Sequence, residues 1–251
     1  MDRTNNHENL RFTAACEKIL GRERKRIGIG TLSEKTLHAV LKNYIEPNEE
    51  FHEIPTAGYV ADIRRGDEII EIQTGNFNVM RKKLACFLPL YQVTIVYPIP
   101  ATKWLSWIDE ETGEITSRRK SPKRGTPYMA FRELYKIKQF LTNDNLKIHL
   151  ILIDVEEFRL LNGWSADRKR GSVRHDRIPV AISEELSFEC TKDYIMLLPP
   201  ELPEQFCTKD YAKVTGLSQG QAGTALNILY FLGVVKRIGK KGNAFIYQMF
   251  E

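Results

Sequence analysis

The chain has 251 residues, 42% of them hydrophobic and 27% charged, with a formal net charge of +5. That length allows one large domain, or a domain with a small module, and the composition is that of an ordinary globular protein. No apolar run reaches membrane-spanning length, the N-terminus MDRTNNHENL is not a signal peptide, and Cys16, Cys86, Cys190 and Cys207 form no CxxC pair. A membrane protein, a zinc site and a disulfide framework are therefore not expected, and a reducing cytoplasm is the expected location.

In chain order, LSEKTLHAVLKNYI (32–45) predicts an amphipathic helix capped by Thr31 or Ser33. Glu34 lies in its first turn, bordering the apolar side formed by Leu37, Val40, Leu41, Tyr44 and Ile45, and Pro47 ends it. Three strands are expected next, at 51–57, 59–64 and 68–74. The last two form a hairpin around Gly66-Asp67, a two-residue loop of type II′. That loop pairs Arg65 with Glu68, Ile63 with Ile70 and Ala61 with Ile72. One face is then apolar and continues to Tyr59, while the other carries Asp62 opposite Glu71, with Gln73 two residues along. A one-residue slip would put Asp62 among the isoleucines. Facing carboxylates are unfavourable unless a positive charge lies between them, and a divalent cation answers that need. The plainer alternative is an exposed hairpin whose two acids point into water.

A helix at 76–90 and a buried strand at 91–99 complete a crossover between parallel neighbours. A basic loop (117–127), a helix (128–142) and an apolar strand (147–155) follow, giving a mixed sheet with helices on both sides. Residues 156–198 suggest a second basic loop and two short strands, around IPVAI and DYIMLL. The charge is uneven. Residues 115–180 hold 15 Lys and Arg against 7 Asp and Glu, so the blocks SRRKSPKRG (117–125) and DRKRGSVRHDR (167–177) supply the whole excess. Such blocks can neutralise a phosphate backbone, or can simply be solvated loops.

After PPELPEQF the pattern changes. Residues 207–216 predict a short helix capped by Thr208 and closed by Gly216. Residues 217–235 predict a longer one capped by Ser218, and 234–250 a basic hairpin. Helix, turn, helix and hairpin outline a winged helix. Gln219, Gln221 and Thr224 would then lie on the recognition helix, with Lys236, Arg237, Lys240 and Lys241 along the wing. Protein contact or dimerisation is the competing use of such a module.

With Glu34 on a first helix, Asp62 on a second strand and Glu71-x-Gln73 on a third, the chain resembles the PD-(D/E)xK nuclease superfamily over about residues 30–100. The resemblance implies a restriction-endonuclease-like α/β fold, with a mixed central sheet in αβββαβ order, over residues 1–198. Within that span the core is about 30–155 and the basic extension 156–198. The winged helix-turn-helix domain at 203–251 is a separate resemblance. The superfamily likeness implies that Asp62, Glu71 and the Ile72 carbonyl hold catalytic Mg²⁺ or Mn²⁺, with Glu34 as an added ligand. The chain departs from the pattern at Gln73, which stands in the lysine position and can orient but not supply charge. A lysine can instead arrive from the next helix. Lys82 and Lys83 are the candidates, and Lys83 lies nearer the apolar border, i,i+3 from Met80 and i,i+4 from Phe87. The expected function is metal-dependent DNA hydrolysis, with DNA held by Arg118, Arg119, Lys120, Lys123, Arg124 and the tail; paired cuts in a duplex would favour a homodimer. The alternative is a catalytically inactive nuclease-fold protein that binds DNA.

Overall fold

The computed structural model describes residues 2–26, 36–109, 111–164 and 170–250. Two helices, α1 (Asp2–Arg26) and α2 (Thr36–Ile45), precede the strands β1 (His52–Thr56), β2 (Tyr59–Arg65) and β3 (Glu68–Ile72). Helix α3 (Met80–Phe87) leads to β4 (Gln92–Ile108) and β5 (Arg119–Lys120). The short α4 (Phe131–Leu134) leads to β6 (Leu146–Trp164) and β7 (Arg170–Phe188). The tail comprises β8 (Gln205–Cys207), α5 (Thr208–Thr215), α6 (Gln219–Phe231), β9 (Val235–Lys241) and β10 (Ala244–Met249). The protein is mixed α/β. Its larger sheet runs β1-β2-β3-β4-β6-β7 with β5 paired to β4, and the smaller runs β8-β10-β9. The larger sheet is mixed, with β2 and β3 antiparallel and β3 and β4 parallel.

Two compact units divide the chain. The first holds Met1–Ile54, Pro100–Gly125 and Ile151–Glu185, and the second Pro55–Ile99, Thr126–Leu150 and Leu186–Glu251. In the first, Phe12 of α1 meets Tyr44 of α2 edge to face, and Tyr44 donates to Glu185 on β7 at 2.6 Å. In the second, Met80, Leu84 and Phe87 of α3 form a stripe spaced i,i+4,i+7 that packs in one core with Ile69, Val93 and Ile95. That core also takes in Tyr211, Leu226, Leu229 and Tyr247, so residues 203–251 pack within the second unit.

Hairpin β2–β3 pairs Ile63 with Ile70, Arg64 with Ile69 and Arg65 with Glu68, the register that the alternation requires. Gly66 has φ +57, as the first position of a II′ loop demands. At the β1–β2 turn Ala57 (φ 47) and Gly58 (φ 81) both lie in the left-handed region. An L side chain there costs about 1–2 kcal/mol, so Ala57→Gly is expected to stabilise the fold by about 0.5–1 kcal/mol after glycine's own entropy cost. Urea denaturation of the two proteins checks this.

The structure corrects several expectations. The segment 128–142 is not one α-helix: 3₁₀ turns at Pro127–Ala130 and Tyr135–Phe140 flank α4, and Ile137 (φ −116) breaks the helical path. The strand expected at 91–99 continues to Ile108, through Pro98 and Pro100. DYIMLL is not a strand. Asp193 accepts the amides of Glu189 and Cys190 at 2.7 and 2.9 Å, and this local turn chemistry sets a 3₁₀ helix at Thr191–Leu197. IPVAI lies inside the 19-residue β7 rather than in a short strand. Helix α5 is capped at Cys207 with Asp210 rather than by Thr208, while Gly216 (φ 71) closes it. The Ser218 cap of α6 forms a capping box with Gln221.

Candidate functional site

Strand β3 lies between β2 and β4, and four of its five residues are buried. A strand covered on both faces should be apolar, yet Glu71 is only 3% exposed. Helix α3 supplies its partner: Lys83 Nζ lies 2.6 Å from Glu71 Oε2 and donates to the Val60 carbonyl at 2.6 Å. The position of Lys83 beside Met80 and Phe87, both buried, explains the reach, since a lysine at the border of an apolar stripe lays its stem along the sheet. The other carboxylate oxygen, Glu71 Oε1, is buried with no hydrogen-bond partner among the described residues. Burial, then the negative charge of Asp62, pushes the Glu71 carboxyl up to about 7, although Lys83 acts in the opposite direction. Asp62 Oδ2 accepts the amide of Ile72 at 2.8 Å, which fixes the carboxylate beside the end of β3.

The structure thus brings Asp62, Glu71, Ile72 and Lys83 together. Gln73 turns away: its amide donates to the carbonyl of Gly75, while its backbone amide bonds Val96 at 2.9 Å. Glu34 lies outside the described residues. Glu133, which sequence reasoning missed, steadies the loop after β3 by accepting the Phe77 amide at 2.8 Å, and Lys136 neutralises it at 2.7 Å. Its sequence signal was weak, because a glutamate on an amphipathic segment reads as solvated.

A hard divalent cation takes oxygen ligands, and two carboxylates, one with an orphaned buried oxygen, fit that preference. Among the described residues no group of three or more His, Cys, Asp and Glu side chains is placed to hold a metal ion.

The basic candidates fall into two places. Arg118 pairs with Glu156 at 2.9 Å and stacks over Trp104 at 4.3 Å, while Arg119, Lys120, Lys123 and Arg124 are exposed. In the tail, Gln219, Lys240 and Lys241 are exposed. Gln221 and Thr224 line a cavity of about 240 Å³ with Tyr128, Met129 and Tyr135. Lys236 is half-buried. Arg237 stacks on Tyr230 (4.3 Å) and Phe245 (4.1 Å), so its guanidinium is engaged in packing the hairpin onto α6. Among the described residues no helix is long and apolar enough to cross a membrane.

Fold and site together define a mixed α/β protein whose central strand carries a buried carboxylate, met by a second carboxylate and by a lysine from the following helix. Residues 35–189 match the family described as a domain of unknown function (DUF8091), and the chain belongs to that family. The matched stretch contains Asp62, Glu71, Gln73 and Lys83 and ends before the tail. The chain is also 30% identical over 229 residues to an uncharacterized protein of Treponema pallidum (strain Nichols), covering 88% of this chain and 87% of that one. No solved structure matches.

Proposed function

We propose that this protein is a metal-dependent DNA phosphodiesterase, built on a restriction-endonuclease-like core of the PD-(D/E)xK type with a winged helix in its tail. One observation carries the reading: Glu71 is buried beside Asp62, bonded by Lys83 at one oxygen and, among the described residues, without a partner at the other. The element order supports it, since a helix, an antiparallel hairpin, a second helix and a strand parallel to β3 stand in sequence. Asp62, Glu71 and the Ile72 carbonyl would hold Mg²⁺ or Mn²⁺. The bound ion would supply positive charge against a phosphate and make a water more acidic.

The chain's own residues do the rest. The Ile72 amide aims Asp62, and Lys83 holds Glu71 in place and offsets part of the rise that burial imposes on its carboxyl. The Lys83 ammonium also brings positive charge to the position that Gln73 leaves neutral, where a phosphodiester gains negative charge during attack. The C-terminal helices and hairpin, β8 to β10, add a DNA-facing surface through Gln219, Lys240 and Lys241.

The competing reading is a nuclease-fold protein that binds DNA without cutting it. Gln73 favours it, and Lys83 at Glu71 weighs against it. Incubation of supercoiled plasmid with the protein in Mg²⁺ or Mn²⁺ separates the two. Nicking that EDTA prevents is expected; intact plasmid with a clear gel shift would establish the non-cutting reading instead.

A further inference from the structure

Within the second unit, α6 and the segment 127–140 border two adjoining cavities. The first, about 240 Å³, takes Arg132 and Tyr135 from that segment and Gly220, Gln221 and Thr224 from α6. The second, about 590 Å³, takes Tyr135 again, with Lys136, Lys138, Phe231 of α6 and Arg81 of α3. Tyr135 thus belongs to both linings. Gly220, Thr224, Asn227 and Phe231 are spaced i,i+4,i+7,i+11, so one stripe of α6 runs along the pair of cavities for about 16 Å.

The lining is basic and aromatic. Arg81, Arg132, Lys136 and Lys138 contribute to it, and among the described residues no Asp or Glu does. Lys136 is already paired with Glu133 at 2.7 Å. The other three are not neutralised: Arg81 donates to the uncharged Gln139 at 3.3 Å, Lys138 to the uncharged Asn227 at 2.7 Å, and Arg132 is exposed. Two rings stand in water beside them, Tyr135 at 52% and Phe231 at 41% exposure. Core packing asks for neither, since Phe131, one turn before Tyr135, is the ring that is buried. The Lys138 ammonium lies 4.5 Å from the centre of the Phe231 ring, so cation and ring are interleaved. Cations alone would suit any anion. Cations interleaved with exposed rings suit a chain that repeats a planar base on a phosphate backbone.

We propose that this groove binds single-stranded DNA, with bases stacked on Tyr135 and Phe231 and phosphates met by Arg81, Arg132 and Lys138. A duplex keeps its bases inside the stack and offers these rings nothing. The groove rests on the nucleic-acid half of the proposed function and names the form of its substrate. It does not rest on the catalytic half. Arg81 and Lys83 stand two residues apart on α3 and do not share a face; Arg81 reaches Gln139, and Lys83 reaches Glu71.

Anisotropy of a fluorescein-labelled oligothymidylate of about 16 nucleotides tests it, with the full chain in EDTA and a labelled duplex as the comparison. Tyr135→Ala is expected to weaken single-strand binding about tenfold, the scale of one lost stacking contact, and to leave duplex binding unchanged. Tyr135→Phe keeps the ring and should bind as the parent does. Arg81→Gln and Arg132→Gln are each expected to reduce the slope of log K against log salt by about 0.7, and together by about twice that. Parental single-strand affinity and slope in the triple variant Tyr135→Ala, Arg81→Gln, Arg132→Gln overturn the groove and leave the DNA reading standing. Equal losses on strand and duplex overturn base stacking as its chemistry. Displacement of the strand by polyglutamate at equal charge, or by thymidine monophosphate at equal nucleotide concentration, overturns the strand as the occupant. A parent that binds neither DNA overturns both the groove and the proposed function. Ring-dependent strand binding by a chain that never nicks plasmid supports the groove and removes only the nuclease.

Discussion

Glu71→Ala is expected to reduce metal-dependent plasmid nicking by about 10³-fold or more, the scale set by removing a charged group on which transition-state stabilisation depends. Two losses combine. The carboxylate with the orphaned Oε1 disappears, and Lys83 loses the partner that fixes its ammonium 2.6 Å away. Asp62→Asn is the sharper companion, because an asparagine oxygen still accepts the Ile72 amide that Asp62 accepts at 2.8 Å, while the negative charge is gone. A comparable loss in Asp62→Asn assigns the effect to charge and not to the hairpin's geometry. Lys83→Met should cost about 10²–10³-fold, as removal of a single charge-stabilising donor does. Gln73→Ala should cost less than about tenfold, since its amide is turned to the Gly75 carbonyl. Initial rates on plasmid, with duplex binding in EDTA as the control for folding, give the order. Wild-type rates in both Asp62→Asn and Glu71→Ala would end the nuclease reading; a large loss in Gln73→Ala with none in Lys83→Met would return the lysine role to β3.

How much of this could be read from the letters depends on where each signal was local. The β2–β3 register was legible because a slip would reverse every side chain of an alternating hairpin, and Ile63 does face Ile70. The resemblance suggested a lysine from the next helix, and helical spacing then favoured Lys83 over Lys82, because Met80 and Phe87 define the buried stripe that Lys83 borders. Strand β7 was not. It lies at the end of the sheet order, where a strand tolerates charge, so its arginines read as a solvated loop. Helix α1 was missed although Phe12, Ala15 and Ile19 are buried at helical spacing, because the surrounding residues are polar. Arg237 read as a free wing cation. Tyr230 and Phe245, which sandwich it, come from a different helix and strand, and no local pattern announces that meeting. The burial of Glu71 was likewise a tertiary fact: alternation placed it opposite Asp62, but only the covering α3 takes it out of water.

That burial makes the metal-free protein lose stability as pH rises, and Glu71→Gln is expected to remove most of the loss. The Glu71 carboxyl stands at about 7 against an ordinary value of 4.5. Between those values the native chain holds a proton that the unfolded chain has released, so stability falls with rising pH. The contribution is fully present below about 4.5 and gone above about 7. A shift of this size corresponds to roughly 3 kcal/mol, a large part of a typical domain's 5–15 kcal/mol. Urea denaturation in EDTA at pH 5 and pH 8 measures it. The difference between wild type and Glu71→Gln cancels the other titrating groups, and it should move by roughly 3 kcal/mol towards the variant at the higher pH. If the carboxylate pair holds the ion as proposed, Mg²⁺ or Mn²⁺ should restore the wild type at pH 8 and leave the variant little changed. A difference that stays flat with pH would mean that Lys83 alone neutralises Glu71, and the orphaned oxygen would lose its force as an argument for a cation.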